Sequence, residues 1–289
     1  MRAERILQNV SYHVVYDESI MDALEYAHAH GFAGIQLAVE VPHLSFETVS
    51  ETECDRIASF AAEHALSISL HAPDHAAPLF ATSTHLLKGI FSYFEALFAF
   101  AERINARLVT CHPGPMPTFG TDTLPAESVP QTDWAHFRRA LDENLRRLIG
   151  LAAGRTIVCI ENAGLDGTAR QVLQPYLDAG ELSLCWDLAK TYDGRRGLDA
   201  DMEAYFWAHL DHVQQVHLHD RRDGRSHRVI GTGSVDFMRF LPRLAEANVL
   251  DYCIEVRPRE KAAESFANLQ QLLRSSAEGR HAAPPNDRS

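Results

Sequence analysis

Eight short apolar segments, each followed by an amphipathic helical segment, recur through the first 275 residues, and this alternation restricts the fold more than any other feature. The expected strands are Ile6 to Val15, Ala33 to Val41, Leu66 to His71, Arg107 to His112, Thr156 to Asn162, Leu182 to Asp187, Val213 to Asp220 and Asp251 to Pro258. The expected helices are Asp17 to His30, Phe46 to His64, about Ser83 to Asn105, Asp133 to Ala153, Thr168 to Ala179, Asp199 to Leu210, Asp236 to Ala247 and Lys261 to Arg274. Eight such units are the arithmetic of an α/β fold, the (β/α)8 TIM barrel, whereas a doubly wound open sheet rarely needs so many regular repeats. Residues 1–275 are therefore expected to be a single domain. Residues 276–289, SAEGRHAAPPNDRS, have no hydrophobic period and are expected to be a disordered tail. The connection Pro113 to Thr132, rich in Pro, Gly and Thr, is long for a strand-to-helix loop and is expected to act as a lid.

A parallel barrel brings the C-terminal ends of its strands to one rim. Strands three to eight end in His71, His112, Glu161, Asp187, His217 and Glu255, and His227 lies in the loop after strand seven. Sixteen histidines make this residue the outlier of the composition. Clustered carboxylates and imidazoles repel unless a cation neutralises them, so the seven are candidate metal ligands. Mixed nitrogen and oxygen donors suit zinc, manganese or iron better than magnesium or calcium. The cofactor expected is one or two divalent ions, Zn2+ or Mn2+.

The span Val213 to Asp236, VQQVHLHDRRDGRSHRVIGTGSVD, concentrates this chemistry. Gln215, His217 and His219 share one side of a strand, and a charged, glycine-broken loop then leads through Gly231-Thr232-Gly233 to a helix. His219 is a candidate substrate contact. One layer below the rim lie Ser69, Thr110, Cys159, Cys185, Gln215 and Cys253, small or weakly polar as a site floor requires. The five cysteines include no CxxC pair, which indicates reduced buried thiols rather than a disulfide framework or a zinc finger. Tyr12, His13 and Gln36, near the ends of strands one and two, are placed to shape specificity.

Charge narrows the partners. A formal net charge of -12 disfavours nucleic acid and anionic membranes. No apolar run is long enough to cross a bilayer, and the N-terminal MRAERILQNV lacks an apolar signal segment, so cytoplasm is the expected location. A small anionic substrate is the expected partner, and a homo-oligomer is compatible with the sequence.

The segments LHAP, CHPG, IEN, CWDLAK, HLHD, SHRVIGTGSVD and IEV make the chain resemble the xylose isomerase-like TIM barrels, over nearly the whole barrel. That family includes sugar isomerases and epimerases and the endonuclease IV type of apurinic-site nuclease. The epimerase branch implies one metal on Glu161, Asp187, His217 and Glu255, with the glutamates as acid and base. The endonuclease branch implies one zinc on His71, His112 and Glu161 and a second on Glu161, Asp187, His217 and Glu255. Both branches commonly carry a His where this chain has Lys190. The endonucleases carry an Asp where it has Arg225, so their third zinc site is broken here. Lys190 and Arg225 are expected to bind a phosphate or carboxylate in place of that ion.

Two enzymatic readings follow. The first is a dinuclear hydrolase of a small phosphodiester or phosphomonoester, which accounts for His71 and His112 as ligands. The alternative is a mononuclear isomerase or epimerase of a sugar or sugar phosphate, with Glu161 and Glu255 as the catalytic pair that exchanges the proton. A third class, a noncatalytic ligand-binding barrel, would leave the complete rim idle. The two histidines beside Glu161 incline the sequence reading to the hydrolase.

Overall fold

The strands of this chain are buried on both faces; the first two have no exposed position at all. Such strands need partners at both edges and cover on both sides, and a closed parallel barrel inside a ring of helices supplies both. The computed structural model describes residues 2–74, 76–114, 116–117, 131–193 and 197–281. Its strands are β1 Val10–Val14, β2 Gly34–Ala38, β3 Ser67–His71, β4 Leu108–Cys111, β5 Ile157–Glu161, β6 Ser183–Asp187, β7 Val213–Leu218 and β8 Asp251–Ile254. They close in sequence order, with β8 pairing with both β7 and β1, which is the expected (β/α)8 TIM barrel.

The helices are α1 Arg2–Leu7, α2 Ile20–His30, α3 Glu51–Glu63, α4 Thr84–Arg103, α5 Gln131–Ala152, α6 Gly167–Asp178, α7 Ala200–Ala208, α8 Phe237–Leu244 and α9 Arg259–His281. Side chains of Ser50, Ser83, Asp166, Asp199 and Asp236 accept first-turn N–H groups, each worth about 1 kcal/mol. Between strands and helices the core is aromatic around β6, where Trp186 stacks on Phe206 at 4.8 Å and meets Phe240 edge-on at 5.4 Å. Among the described residues no helix is long and apolar enough to cross a membrane.

Several boundaries differ from expectation. Ile6 and Leu7 belong to α1 rather than to the first strand, which starts at Val10. Ile6 is fully buried from that helix. Helix α2 is capped by Ser19, not Asp17; Asp17 accepts from the Tyr12 hydroxyl at 2.9 Å and from Arg259 at 3.3 Å. Helix α9 continues to His281 instead of ending at Arg274, and the rest of the expected tail, 282–289, lies outside the described residues. Most of the expected lid, 115 and 118–130, also lies outside them. Two hairpins were not anticipated: Tyr192–Asp193 with Gly197–Leu198, and Asp220–Arg222 with Arg225–Arg228.

The barrel interior below the rim is polar. Buried Asp251 accepts from Ser11 at 2.6 Å, from Ser69 at 3.1 Å and from the Gln215 amide at 2.6 Å. The Gln215 carbonyl in turn accepts from Thr110 and from Gln36 at 3.1 Å. Every group there has a partner, which matters because an unpaired buried polar group costs about 1–3 kcal/mol.

Candidate metal centre at the barrel mouth

Strand register places the rim residues. His71, Glu161 and Asp187 are the last residues of β3, β5 and β6, and Asp187 lies level with His217 of β7. Glu161 is fully buried and stands at the centre of the rim. Its Oε2 faces three imidazole nitrogens: His71 Nε2 at 3.3 Å, His112 Nε2 at 3.0 Å and His217 Nδ1 at 3.3 Å. The tautomer of His71 is set by its other nitrogen, since Nδ1 donates to the Ala72 carbonyl oxygen at 2.8 Å. In the neutral ring Nε2 then carries a lone pair aimed at a carboxylate oxygen, and only a proton or a metal ion relieves that contact. Burial by itself would depress the His71 pKa, yet its hydrogen bond to Glu161 and the surrounding carboxylates push it up to about 9. Burial would raise Glu161, but Lys190, His112 and His217 outweigh it and hold the carboxyl well below the usual range. Asp74 stands behind both β3 and β4 histidines, 3.6 Å from His71 Nδ1 and 3.5 Å from His112 Nδ1. Carboxylates in that position orient imidazole ligands.

The adjoining sector holds Glu255 and His13. Glu255 Oε2 is 3.8 Å from His217 Nδ1 and 3.3 Å from His227 Nε2, and Oε1 is 3.7 Å from His13 Nδ1. Glu255 Oε2, His217 Nδ1 and both ring nitrogens of His13 are buried without a hydrogen-bond partner. Burial lowers the His13 pKa well below its ordinary value, ahead of the opposing effect of Glu255. These four buried polar atoms are left without partners among the described residues and are available to a bound group. Donor chemistry specifies what fits: His71, His112 and Glu161 come within mutual coordinating reach, as do His71, His217 and Glu255. Cys185, one layer down, reaches Glu161 and His217. Burial raises its thiol pKa well above the ordinary value, as expected for a protonated floor residue.

The opposite sector is closed. Asp187 Oδ1 accepts from the backbone N–H of Ala189 at 2.8 Å and of Lys190 at 3.0 Å. Its Oδ2 lies 3.1 Å from His219 Nε2 and 3.2 Å from Lys190 Nζ. Burial would raise this carboxyl, but His219 and Lys190 bring it down to about 2. His219 Nδ1 accepts from the backbone N–H of His227 at 3.1 Å, so Nε2 bears the proton that Asp187 accepts. His227 holds a left-handed conformation, φ 56, that few side chains adopt, and this aims its ring at Glu255. The hairpin carrying His227 is clasped by Asp220, whose carboxylate accepts from Gly231 at 3.1 Å, Gly233 at 2.7 Å and Val235 at 3.0 Å. A Cβ on Gly233 would overlap this carboxylate and the Arg221 carbonyl, which explains the glycine turn.

Of the expected ligands, the structure brings His71, His112, Glu161, His217, His227 and Glu255 into coordinating groups of three. Asp187 is in none of these groups. Lys190 lies inside the mouth, paired with Glu161 and Asp187, while Arg225 is exposed on the hairpin. The cavity has a volume of about 260 Å³ and is also lined by His13, Glu40, Asp74 and Arg257. Asp74, Arg257 and Asp220 were missed as site residues. Each follows a singled-out residue by two or three positions, and that offset was the available signal.

A family model described as xylose isomerase-like TIM barrel matches residues 24–275. The chain belongs to this family. Within the xylose isomerase-like barrels, one similar solved structure is a D-tagatose 3-epimerase-like protein, 17% identical, covering 94% of this chain and 99% of its own, with a TM-score of 0.74. A 3-keto-D-glucoside 4-epimerase from E. coli is 15% identical over 92% of this chain and 99% of its own, TM-score 0.68. A Thermus thermophilus protein from a crystal soaked with zinc chloride is 21% identical over 93% of this chain and 98% of its own, TM-score 0.65. Identities this low show the shared fold. No curated protein matches the sequence.

Proposed function

We propose that this xylose isomerase-like barrel is a divalent-metal-dependent epimerase or isomerase of a small sugar or sugar phosphate. The observation that carries the reading is the pair of buried carboxylates, Glu161 and Glu255, flanking His217 Nδ1 at 3.3 and 3.8 Å, with Glu255 on the wall of a cavity of about 260 Å³. Two carboxylates beside one small chamber suit removal of a proton next to a carbonyl and its return. Similar structures named as epimerases support it. They favour it over phosphoester hydrolysis, the first expectation from sequence.

A divalent ion, Zn2+ or Mn2+, would draw its ligands from His71, His112, Glu161, His217 and Glu255, and when bound would polarise the substrate carbonyl and neighbouring hydroxyl. Glu255 Oε2, the buried oxygen without a partner, is the atom that takes the proton. Glu161 acts from the other side of His217 as the second acid or base. His13 offers two unpaired ring nitrogens to substrate hydroxyls, and the buried walls exclude water from the exchanging proton.

The test is proton exchange in deuterium oxide. A panel of ketoses and ketose phosphates is incubated with the Mn2+- or Zn2+-loaded protein and followed by proton NMR. Loss of the signal from the carbon next to the carbonyl, abolished by Glu255→Gln, is the expected result. Absence of exchange with every ketose, together with turnover of a simple phosphodiester, would reverse the choice.

A further inference from the structure

We propose that Lys190 is a built-in cation standing where a second divalent ion would otherwise bind between Glu161 and Asp187, so that the mouth takes a single ion, on the Oε2 side of Glu161. This rests on the reading of the mouth as a divalent-ion site.

The two oxygens of Glu161 face different neighbours. Oε2 faces three imidazoles, whereas Oε1 is paired with the Lys190 ammonium, which also lies 3.2 Å from Asp187 Oδ2. The backbone that carries Lys190 is fixed. Residues Ala189–Thr191 form a single 3-10 turn directly after β6, tied down by the Lys190 N–H to Asp187 Oδ1 and by the Thr191 hydroxyl, which accepts from Trp186 Nε1 at 2.8 Å. A lysine tethered there reaches inward to two carboxylates of its own chain rather than outward to a substrate anion.

Charge balance points the same way. Glu161, Asp187 and Glu255 are all at least 95% buried in the site, and three acidic groups packed together there call for cations inside it. The Lys190 ammonium, in contact with Glu161 and Asp187, supplies one such cation, and an ion on the Oε2 side of Glu161 supplies the other. A second ion between Glu161 and Asp187 would have to displace that ammonium. Asp187 is thereby reserved for Lys190, His219 and two backbone N–H groups.

Equilibrium dialysis of the metal-free full-length protein against Mn2+, and separately Zn2+, with elemental analysis of bound ion, tests this directly. The wild type is expected to bind one equivalent. Lys190→Met and Lys190→His are both expected to bind two, the histidine variant offering a neutral lone pair in place of the ammonium and guarding against misfolding of the methionine variant. Two equivalents in the wild type, or one equivalent of unchanged affinity in both variants, would overturn the role of Lys190 while leaving an ion-dependent enzyme standing. No bound ion in any form would remove the metal site itself, and with it both readings.

Discussion

The two halves of the barrel mouth are built from the same residue types and are in opposite states. Around Asp187, every oxygen and nitrogen has a partner: Lys190, His219 and two backbone N–H groups saturate the carboxylate. Around Glu255 and His217, four buried polar atoms have none. The closed half supplies position and fixed charge, and the open half is where the proposed function puts its ligand. Composition cannot tell these halves apart, because both are histidine and carboxylate.

The comparison can be broken from either side. Asp74→Asn, behind the open half, is expected to weaken Mn2+ or Zn2+ binding by roughly 10- to 100-fold with little change in the melting temperature of the metal-free protein. Calorimetric titration decides it, and unaltered affinity would mean that Asp74 does not orient His71 and His112. Asp187, in the closed half, should instead show itself in acid stability. Its carboxyl is held at about 2 in the fold against an ordinary 3.8, so its contribution is complete above that ordinary value and disappears as pH falls through about 2. The amount at stake is about 2 kcal/mol. Denaturant curves between pH 5 and pH 2 should show a shallower acid loss in Asp187→Asn, and an identical loss in both proteins would assign the effect elsewhere. The smallest effect belongs to His13→Gln, which keeps a polar group but not the ring. It is expected to raise KM several-fold with kcat little changed, and a fall confined to kcat would place His13 in the proton transfer instead.

Much of this was visible in the sequence for a mechanical reason. A parallel barrel converts the last residue of each strand into a rim position, so His71, Glu161 and Asp187 could be gathered without knowing any distance. Other features depend on what strand position does not encode. Lys190 was expected to bind a substrate phosphate or carboxylate, whereas in the structure its stem reaches inward from a 3-10 turn to Glu161 and Asp187. Arg225 was expected at the site by counting back from the glycine turn. The hairpin of Asp220–Arg222 with Arg225–Arg228 carries its side chain to the surface, because pairing across a short ribbon, not linear offset, decides direction. The opening helix was read as strand because Ile6 and Leu7 adjoin the apolar run, and so short a segment shows no period. His13 could be located at a strand end, yet its two unpaired nitrogens are a property of the packed rim alone.

The hydrogen-bonded floor of Asp251, Ser11, Ser69, Gln215 and Thr110 has a kinetic consequence. Among the described residues these floor groups are buried and committed to neighbours, so the floor is packed rather than open. On the proposed function, substrate and product would use the same doorway in turn, each occupying the chamber to the exclusion of the other. For the proposed epimerase, product would then be a competitive inhibitor, and the direction of net turnover would be governed by the concentrations outside.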